Sequence, residues 1–419
     1  MRNQLLIACC LIFNLSLLGQ GLKTKDYKKE EVYIKMRDGI KLFTTIYSPK
    51  ESTAEYPVLI IRTCYSVAPY GLDTMPEKLM HNPNLIASGY IFVQQDVRGR
   101  WMSEGNFENT KPPYSWNNSK ATDEITDSYD TYNWLVKNLD NFNGNIGQYG
   151  NSYLGFTSLV ASVTDHPNLK AVLAMAPVTN FYFEDFNRYG LYGMNYMPVM
   201  DIFGMQKNEP TNEPWYNVMN KSFTLDMEKG IMADYYDYFL ERRALSSAND
   251  VIDSTNFFWK NIKEHPNYDS YRQERDWIQY LKNSKCQTMI VGGWNDEQNL
   301  YGILNSFKKM QKSAPESNVQ LVLGPWSHGH PKRRDSTYYL GDIFYGFDLS
   351  KNYQEQIEFN YFEHHLKGKG TAPQFKAHVF DTGSKKWVDY MDDPFDNNHD
   401  VINLLLYLNP NGNLSDKKT

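Results

Sequence analysis

Short apolar runs alternate with segments of helical periodicity from Glu31 to about Val178. Six runs rich in β-branched and aromatic residues predict strands, at 32–36, 40–47, 56–65, 90–97, 145–149 and 169–177. Between them, 123–139 and 153–163 space their apolar residues along one helical face. Runs such as 58–61 are apolar throughout, which is typical of a parallel sheet covered on both faces. The pattern predicts an α/β fold with a doubly wound sheet.

The strand pattern stops at residue 180 and returns after residue 285. In between, aromatic and Met-rich segments with helical spacing, such as 227–240 and 257–281, predict a helical cap inserted above one edge of the sheet. Strands are expected again at 288–292 and 319–323, and helices at 300–310 and 353–366. We therefore expect a main domain formed by 22–179 and 286–372, with 180–285 as the cap.

After Pro373 the chain changes to short β runs, at 375–380, 386–390 and 401–408. They are typical of the opening of an all-β domain, but three strands cannot close a sandwich. Residues 373–419 are expected to be the start of a truncated β-sandwich, or else strands that lie against the preceding domain. Solvent exposure of 401–408 would favour a fragment or a protomer that awaits a partner.

The first 21 residues have the pattern of a signal peptide. Arg2 is their only charged side chain, and the apolar run 5–18 is too short to span a bilayer. Gly19 and Gly21 supply small residues for cleavage after Gly21. We expect an exported protein, periplasmic or secreted, with no stable membrane span; a buried N-terminal helix and lipidation at Cys9 are the less favoured alternatives.

Composition narrows the class of protein. With 41% hydrophobic and 15% aromatic residues, the 419-residue chain is neither disordered nor a coiled coil. Its net charge of -6 has the wrong sign for a nucleic-acid partner. Beyond the leader, the cysteines are Cys64 and Cys286, each in its own apolar run, so two free buried thiols are expected rather than a disulfide or a metal site. A homo-oligomer is left open.

The string Gly150-Asn151-Ser152-Tyr153-Leu154-Gly155 lies between a predicted strand and a predicted helix. In that context, a serine between glycines is typical of a nucleophile elbow, a sharp turn that lifts the hydroxyl above the sheet. The plain alternative is a glycine turn whose serine caps the helix.

A serine nucleophile needs a histidine to take its proton and a carboxylate to orient that histidine. Asp296 follows the strand predicted at 288–292, and His328 follows the strand predicted at 319–323. The order Ser152, Asp296, His328 is the one expected for an α/β-hydrolase, whose sites form at the carboxyl ends of strands. Alternatively, Asp296 caps the next helix, and His328 is a surface residue or binds a metal with His330. A zinc site needs further ligands at suitable spacing, so no metal is expected.

Acyl transfer also needs donors for the tetrahedral oxyanion. The backbone N–H of Tyr153, directly after the candidate nucleophile, is one candidate. The phenol of Tyr65, at the end of the strand predicted at 56–65, is the other. The alternative for Tyr65 is a core aromatic residue.

A set of motifs recurs in order along the chain: Arg62-Thr63-Cys64-Tyr65, Gln95-Asp96-Val97-Arg98-Gly99-Arg100, Ser103-Glu104-Gly105, Asp127 and Asp130 before Trp134, Gly144-Asn145-Ile146-Gly147, Gly150-x-Ser152-Tyr153-x-Gly155, Gly293-Trp294-x-Asp296 and Gly324-Pro325-Trp326-x-His328. Through these motifs the chain resembles, from about Glu31 to Gly368, the cocaine esterase and X-Pro dipeptidyl-peptidase superfamily. Its layout is most similar to the α-amino acid ester hydrolases and the glutaryl-cephalosporin acylase-like proteins. The resemblance implies an α/β-hydrolase fold with a helical cap and a C-terminal jelly-roll domain. It implies Ser152 as nucleophile, His328 as general base and then acid, Asp296 as its orienting carboxylate, and Tyr65 with Tyr153 as the oxyanion hole.

Two features depart from that resemblance. The amino acid ester hydrolases bind a substrate ammonium with carboxylates, two of which follow the catalytic Asp by two and three residues. Here those positions hold the neutral amides Gln298 and Asn299, while Glu184 or Asp185 matches the remaining member. A pocket without two charges holds an ammonium less well. The second departure is length, since family members continue into a complete jelly-roll domain.

The sequence therefore predicts a serine hydrolase that cleaves small acyl esters or amides and needs no cofactor. Its expected partner is a small-molecule ester or amide, or a short peptide. An X-Pro dipeptidyl-peptidase that releases N-terminal dipeptides is the competing enzyme. A catalytically silent binding protein is the alternative from a different class.

Overall fold

The computed structural model describes residues 21–51, 53–216, 235–250, 252–333, 337–395, 405–410 and 412–417. The predicted signal peptide therefore lies almost entirely outside the described residues. A ten-stranded sheet organises the described chain. Its strands are β1 (Tyr27–Lys35), β2 (Lys41–Pro49), β3 (Tyr56–Thr63), β4 (Ile91–Asp96), β5 (Phe142–Asn151), β6 (Leu169–Met175), β7 (Gln287–Gly293), β8 (Gln320–Gly324), β9 (Ala377–Asp381) and β10 (Lys386–Tyr390).

The strands lie side by side in the order β1-β2-β4-β3-β5-β6-β7-β8-β9-β10. From β4 to β9 every neighbouring pair is parallel. The β1–β2, β2–β4 and β9–β10 pairs are antiparallel. The sheet is thus mixed only at its two margins, and the carboxyl ends of its parallel strands meet at one edge, where α/β folds build their sites.

The described residues contain ten α-helices. They are α1 (Pro83–Ser88), α2 (Glu124–Asn138), α3 (Tyr153–Ala161), α4 (Met200–Gly204), α5 (Tyr235–Arg242), α6 (Phe257–Glu264), α7 (Ser270–Glu274), α8 (Leu300–Ser313), α9 (Leu349–Tyr353) and α10 (Phe359–Lys367). The helix predicted at 123–139 begins at a capping box on Asp123, which accepts a hydrogen bond from the Thr126 backbone N–H at 3.0 Å. The helix predicted at 353–366 ends at Gly368 with φ +65, a left-handed C-cap, and a π-helical turn (Gln354–Glu358) precedes it.

Alternate residues of the central strands pack into different layers. In β3, Leu59 belongs to the cluster that contains Phe362 and Leu366 of α10, while Val58 and Ile60 pack with α2. On the face of the sheet away from α10, residues of β7 and β8 pack against α8 and α3. Because both faces of the sheet are buried, the strands are apolar throughout, and the predicted doubly wound α/β-hydrolase fold is confirmed.

The described part of the segment between β6 and β7 has mostly helical elements, joined by irregular chain. It contains α4 to α7 and, in addition, a hairpin of two two-residue strands, Asn187–Arg188 and Leu191–Tyr192, that the sequence did not predict. Residues 227–234 of the run predicted at 227–240 lie outside the described residues. Phe186, Phe203 and Phe258 share one buried cluster with α3 and α8. The described insertion therefore packs directly on the main domain.

The C-terminal β runs are where the structure corrects the sequence prediction. β9 pairs with β8 in parallel, Val322 opposite His378, and β10 pairs with β9 in antiparallel, Val379 opposite Val388. These two strands do not begin a separate sandwich at residue 373; they lie in the main sheet, the second arrangement considered above. The unpaired backbone groups of β8 explain this, since an uncovered edge recruits a further strand.

Beyond β10, the described residues include the strand pair Tyr407–Leu408 and Leu414–Ser415. Within the run predicted at 401–408, the first four residues lie outside the description, and Leu405 and Leu408 are 66% and 87% exposed. Cys64 and Cys286 are free and buried, in agreement with the expectation. None of the described helices is long and apolar enough to span a membrane.

The tight contact of α3 with β6 gives a testable prediction. A Cβ on Gly155 would lie 2.3 Å from the Met175 carbonyl oxygen and 3.0 Å from the Pro177 Cα, both backbone atoms. Gly155→Ala is expected to lower the free energy of unfolding by about 1–3 kcal/mol, measured by thermal or denaturant unfolding. Gly383→Ala is the control, because its added Cβ would meet only the exposed Asp381 carboxylate at 3.2 Å. Equal stability of the two variants would contradict the prediction.

Candidate active site

Ser152 occupies a strained turn between β5 and α3. Its φ of +64 and ψ of -124 lie in a region that non-glycine residues rarely adopt. The turn is fixed by its backbone, since the Ser152 N–H donates to the Met175 carbonyl at 3.0 Å and its carbonyl accepts from the Phe156 N–H at 2.9 Å. The Ser152 side chain makes no capping hydrogen bond to α3. Of the two readings of this string, the geometry favours the elbow over the helix-capping serine.

Asp296 and His328 meet at the ends of β7 and β8. His328 Nδ1 and Asp296 Oδ2 are 3.1 Å apart, and Asp296 is only 3% exposed. Asp296 Oδ1 accepts from the backbone N–H groups of Gln298 at 3.0 Å and Asn299 at 3.1 Å. The residue that caps α8 is Asn299. With both oxygens so held, the carboxylate selects the tautomer of His328 that carries its proton on Nδ1 and leaves Nε2 as an acceptor.

One cavity contains both the serine and the histidine. It has a volume of ≈ 690 Å³ and is lined by Tyr65, Ser152 and His328 among others. Within the described residues, Ser152 and His328 form no direct hydrogen bond. Such bonds are often long without substrate and tighten in the complex, so the shared cavity is the relevant observation.

Tyr65 lies beside the Ser152 turn. Although 36% of the residue is exposed, its hydroxyl is surrounded by protein atoms. This burial raises the pKa of the phenol well above its usual value, while contacts with the Ser152 side chain and the Tyr153 backbone N–H lower it by less. A phenol that stays protonated next to a backbone donor is suited to stabilising an oxyanion.

The loop that carries Tyr65 is anchored by the last residue of β4 and by residues that follow it. The Cys64 carbonyl accepts from Trp101 Nε1 at 3.1 Å and from Arg100 Nε at 3.4 Å. Asp96, the last residue of β4, accepts from the Val67 N–H and the Tyr70 hydroxyl, each at 3.0 Å. Burial raises the pKa of Asp96 to about 7.

Arg100 also connects this loop with the insertion. Its guanidinium donates to the carbonyls of Ile202 at 2.6 Å and Met205 at 3.0 Å, and lies 4.5 Å from the ring centre of Trp215. The residue is fully buried, forms no ion pair with a described carboxylate, and has a pKa lowered by burial. Carbonyls and aromatic faces thus replace a counter-ion. Arg100 lies in one of the motifs that carry the resemblance, but no role for its side chain was predictable from that motif.

Glu184 and Asp185 are both buried but are used differently. Glu184 Oε2 accepts from the backbone N–H groups of Thr179 at 2.7 Å and Asn180 at 3.0 Å, and Oε1 accepts from that of Gly302 at 2.8 Å. This carboxylate therefore holds the start of the insertion against α8.

Asp185 instead faces the catalytic region. Its Oδ2 accepts from Asn299 Nδ2 at 3.0 Å. Burial, with the Glu184 charge second, raises the pKa of Asp185 to about 8, and the charge of His328 opposes that rise. Burial raises the pKa of Glu184 to about 7. The structure thus brings Asp185 and Asn299 together near Asp296, whereas Gln298 is half-buried and joins Asp185 only through its backbone carbonyl, at 3.4 Å.

No group of three metal-ligating side chains occurs in the part of the chain that the structure describes, so the pairing of His328 with His330 as metal ligands gains no support.

Comparison with known proteins places the chain in a family. The X-Pro dipeptidyl-peptidase (S15) family matches residues 38–330, which include every candidate residue named above. The chain belongs to the S15 family. Cocaine esterase from Rhodococcus sp. is 25% identical over 383 residues, which cover 87% of this chain and 59% of that protein.

Two solved structures share the fold closely. An aminopeptidase from a marine sediment Thaumarchaeota archaeon superposes with a TM-score of 0.80 and 30% identity. An α-amino acid ester hydrolase superposes with a TM-score of 0.79 and 27% identity. Each covers 94% of this S15 family member, which in turn spans 63% of each. The chain thus corresponds to about three fifths of these relatives.

The buried Asp185 predicts a pH-dependent difference in stability. The unfolded chain loses this proton near pH 3.8, whereas the folded protein holds it to about pH 8. Asp185 therefore makes the folded state progressively less stable as the pH rises between these values. Asp185→Asn removes that decline, so from pH 5 to pH 8 its unfolding free energy should gain at least about 1 kcal/mol relative to wild type. Thermal unfolding across this range measures the gain, and exposed Asp73→Asn is the control. A pH-independent difference would refute the buried, protonated state.

Proposed function

We propose that the protein is a serine hydrolase that cleaves small acyl esters or amides through an acyl-Ser152 intermediate. The observation that carries the proposal is the 3.1 Å contact between His328 Nδ1 and Asp296 Oδ2, in a histidine that shares its cavity with Ser152. Membership of the S15 family supports the same chemistry.

In this mechanism, Ser152 Oγ attacks the substrate carbonyl carbon while His328 Nε2 takes the hydroxyl proton. Asp296 keeps Nδ1–H in place and stabilises the imidazolium. The negative charge that develops on the carbonyl oxygen is met by the Tyr65 hydroxyl and the Tyr153 N–H. His328 then donates its proton to the leaving atom, and a water molecule activated by His328 releases the acyl group from Ser152.

The surroundings favour a compact apolar or aromatic acyl group. The ring of Phe203, from the insertion, lies 6.2 Å from the Tyr65 ring in an edge-on arrangement. Phe203 packs in turn against Phe181 and Phe186. This packing places an aromatic cluster of the insertion beside Tyr65, which suits an apolar acyl group.

A dipeptidyl-peptidase that releases an N-terminal X-Pro unit is the second candidate, because the family bears that name. It requires a negative group to bind the free amine. Asp185 is the candidate carried over from the resemblance, but its pKa of about 8 leaves it largely protonated at pH 7. Asn299 and Gln298 add no charge. These observations favour the neutral acyl substrate over the amine.

A binding protein without catalytic activity is the alternative to both enzymes.

The proposed location, periplasmic or secreted, is supported by the leader sequence.

A fluorophosphonate probe tests whether Ser152 is nucleophilic. The folded protein should form one covalent adduct on Ser152, located by mass spectrometry of its peptides, and Ser152→Ala should form none. His328→Gln should slow labelling at least about 100-fold, since the hydroxyl loses its base. Folded protein that remains unlabelled would defeat the hydrolase proposal and favour the silent binding protein.

Comparing two substrates separates the two enzymes. A p-nitrophenyl ester of a small acyl group should be cleaved with kcat/KM at least about tenfold above that of an X-Pro p-nitroanilide. Asp185→Asn should change the ester value at pH 7 by less than about threefold, because it replaces a carboxyl that is already mostly neutral. A preference for the anilide, with equal loss of both activities in Asp185→Asn, would favour the amine-binding dipeptidyl-peptidase.

A further inference from the structure

The cavity that contains Ser152 and His328 has a second charged feature. Lys332 and Arg333 also line it, four and five residues after His328 on the same loop. A short 3-10 turn (His330–Lys332) folds this loop back, with the Arg333 N–H donating to the His330 carbonyl at 3.1 Å. Both cations are therefore carried by the backbone that positions the histidine.

Neither cation is paired with a carboxylate among the described residues, although Arg333 also borders a second cavity that Asp348 and Glu355 line. No Asp or Glu is among the described residues that line this cavity, and neither side chain forms an ion pair within the described chain. Lys332 is exposed as a residue, yet its ammonium group is closely surrounded by protein atoms. That burial is the one cause that lowers its pKa, with no carboxylate to offset it. Arg98, by contrast, pairs with both Asp38 and Asp127.

An unsatisfied amide lies in the same cavity. Asn151 is 7% exposed, lines the cavity directly before Ser152, and its Oδ1 has no hydrogen-bond partner. Buried side-chain acceptors are nearly always paired, so this oxygen, which no described residue pairs, is available at the cavity wall to a donor from a ligand. This observation is independent of the two cations.

We propose that this cavity is a leaving-group subsite for substrates whose leaving group carries a carboxylate, such as N-acyl amino acids. The proposal rests on the proposed function. His328 must donate its proton to the leaving atom, so the leaving group lies against His328. Lys332 and Arg333 continue from that residue and bind the carboxylate, while Asn151 Oδ1 accepts the N–H of the scissile amide.

The proposed amide cleavage is an ordinary acyl transfer. The Ser152 Oγ–carbon bond forms, the carbon–nitrogen bond breaks, and the nitrogen leaves with the proton from His328. Water hydrolyses the acyl-serine and releases a carboxylic acid, so the products are that acid and a free amino acid.

A matched pair of esters tests the charge preference. The phenylacetyl esters of 3-hydroxybenzoic acid and of its methyl ester share the scissile bond and differ in the remote carboxylate. Wild type should favour the anionic ester by at least roughly fivefold in kcat/KM, after correction for the alkaline hydrolysis rates, and added salt should reduce that preference. Lys332→Gln with Arg333→Gln should abolish it, and Lys332→Arg should keep it.

Lys28→Gln is the control cation. Lys28 is exposed on β1, lies 3.0 Å from Glu30 and borders a different cavity, so its removal should leave the preference unchanged. Fluorophosphonate labelling of Ser152 in each variant reports that the site is still folded.

The outcomes separate the subsite from the proposed function. If wild type cleaves neither ester, the hydrolase proposal itself fails. If it cleaves both and the ratio of their kcat/KM values is the same in the Lys332 and Arg333 double variant, the subsite is overturned. A hemisuccinate phenyl ester carries its carboxylate on the acyl side. If the double variant loses activity on that ester instead, the cations bind the acyl group, and the leaving-group assignment is wrong.

Discussion

The site depends on how closely α3 can approach the ends of β5 and β6. A Cβ on Gly150 would lie 2.4 Å from the Leu154 Cβ, and one on Gly155 would lie 2.3 Å from the Met175 carbonyl oxygen. Only the absence of both side chains lets the chain turn within one residue, and that turn forces Ser152 to φ +64. A backbone strain of this kind costs of the order of 1–3 kcal/mol and persists only where its surroundings hold it.

The other two candidate residues, Asp296 and His328, follow strands that end at the same edge of the sheet. β7 delivers Asp296 and β8 delivers His328, and their contact needs no long loop because the two strands are hydrogen-bonded neighbours. The register that sets Gly293 opposite Gly324 fixes the spacing of these two strand ends. The parallel sheet thus supplies the geometry, while the loops supply the chemistry.

Charged side chains are distributed unevenly around the site, and burial determines how far each of them is ionised. Asp185, on the insertion, has a pKa raised by burial to about 8, so it contributes little negative charge at neutral pH. In the cavity that contains Ser152, Lys332 and Arg333 meet no described carboxylate. This balance favours a neutral acyl group and an anionic leaving group, which is the basis of the substrate class proposed here. Arg100 ties the same insertion to the loop of Tyr65 by hydrogen bonds to carbonyls of both.

Local pattern was enough for the α/β fold, for most strand and helix positions, and for naming Ser152, Asp296 and His328 as candidates. These inferences depend on periodicity and on residues at strand ends, which neighbours in the sequence determine. Three features depend on residues far apart in the chain: the edge on which β9 and β10 pair, the anchoring of the Cys64 carbonyl by Arg100, and the surroundings of Lys332, which forms no ion pair with a described residue. Because pairing and burial are properties of assembled surfaces, only the tertiary structure decided them.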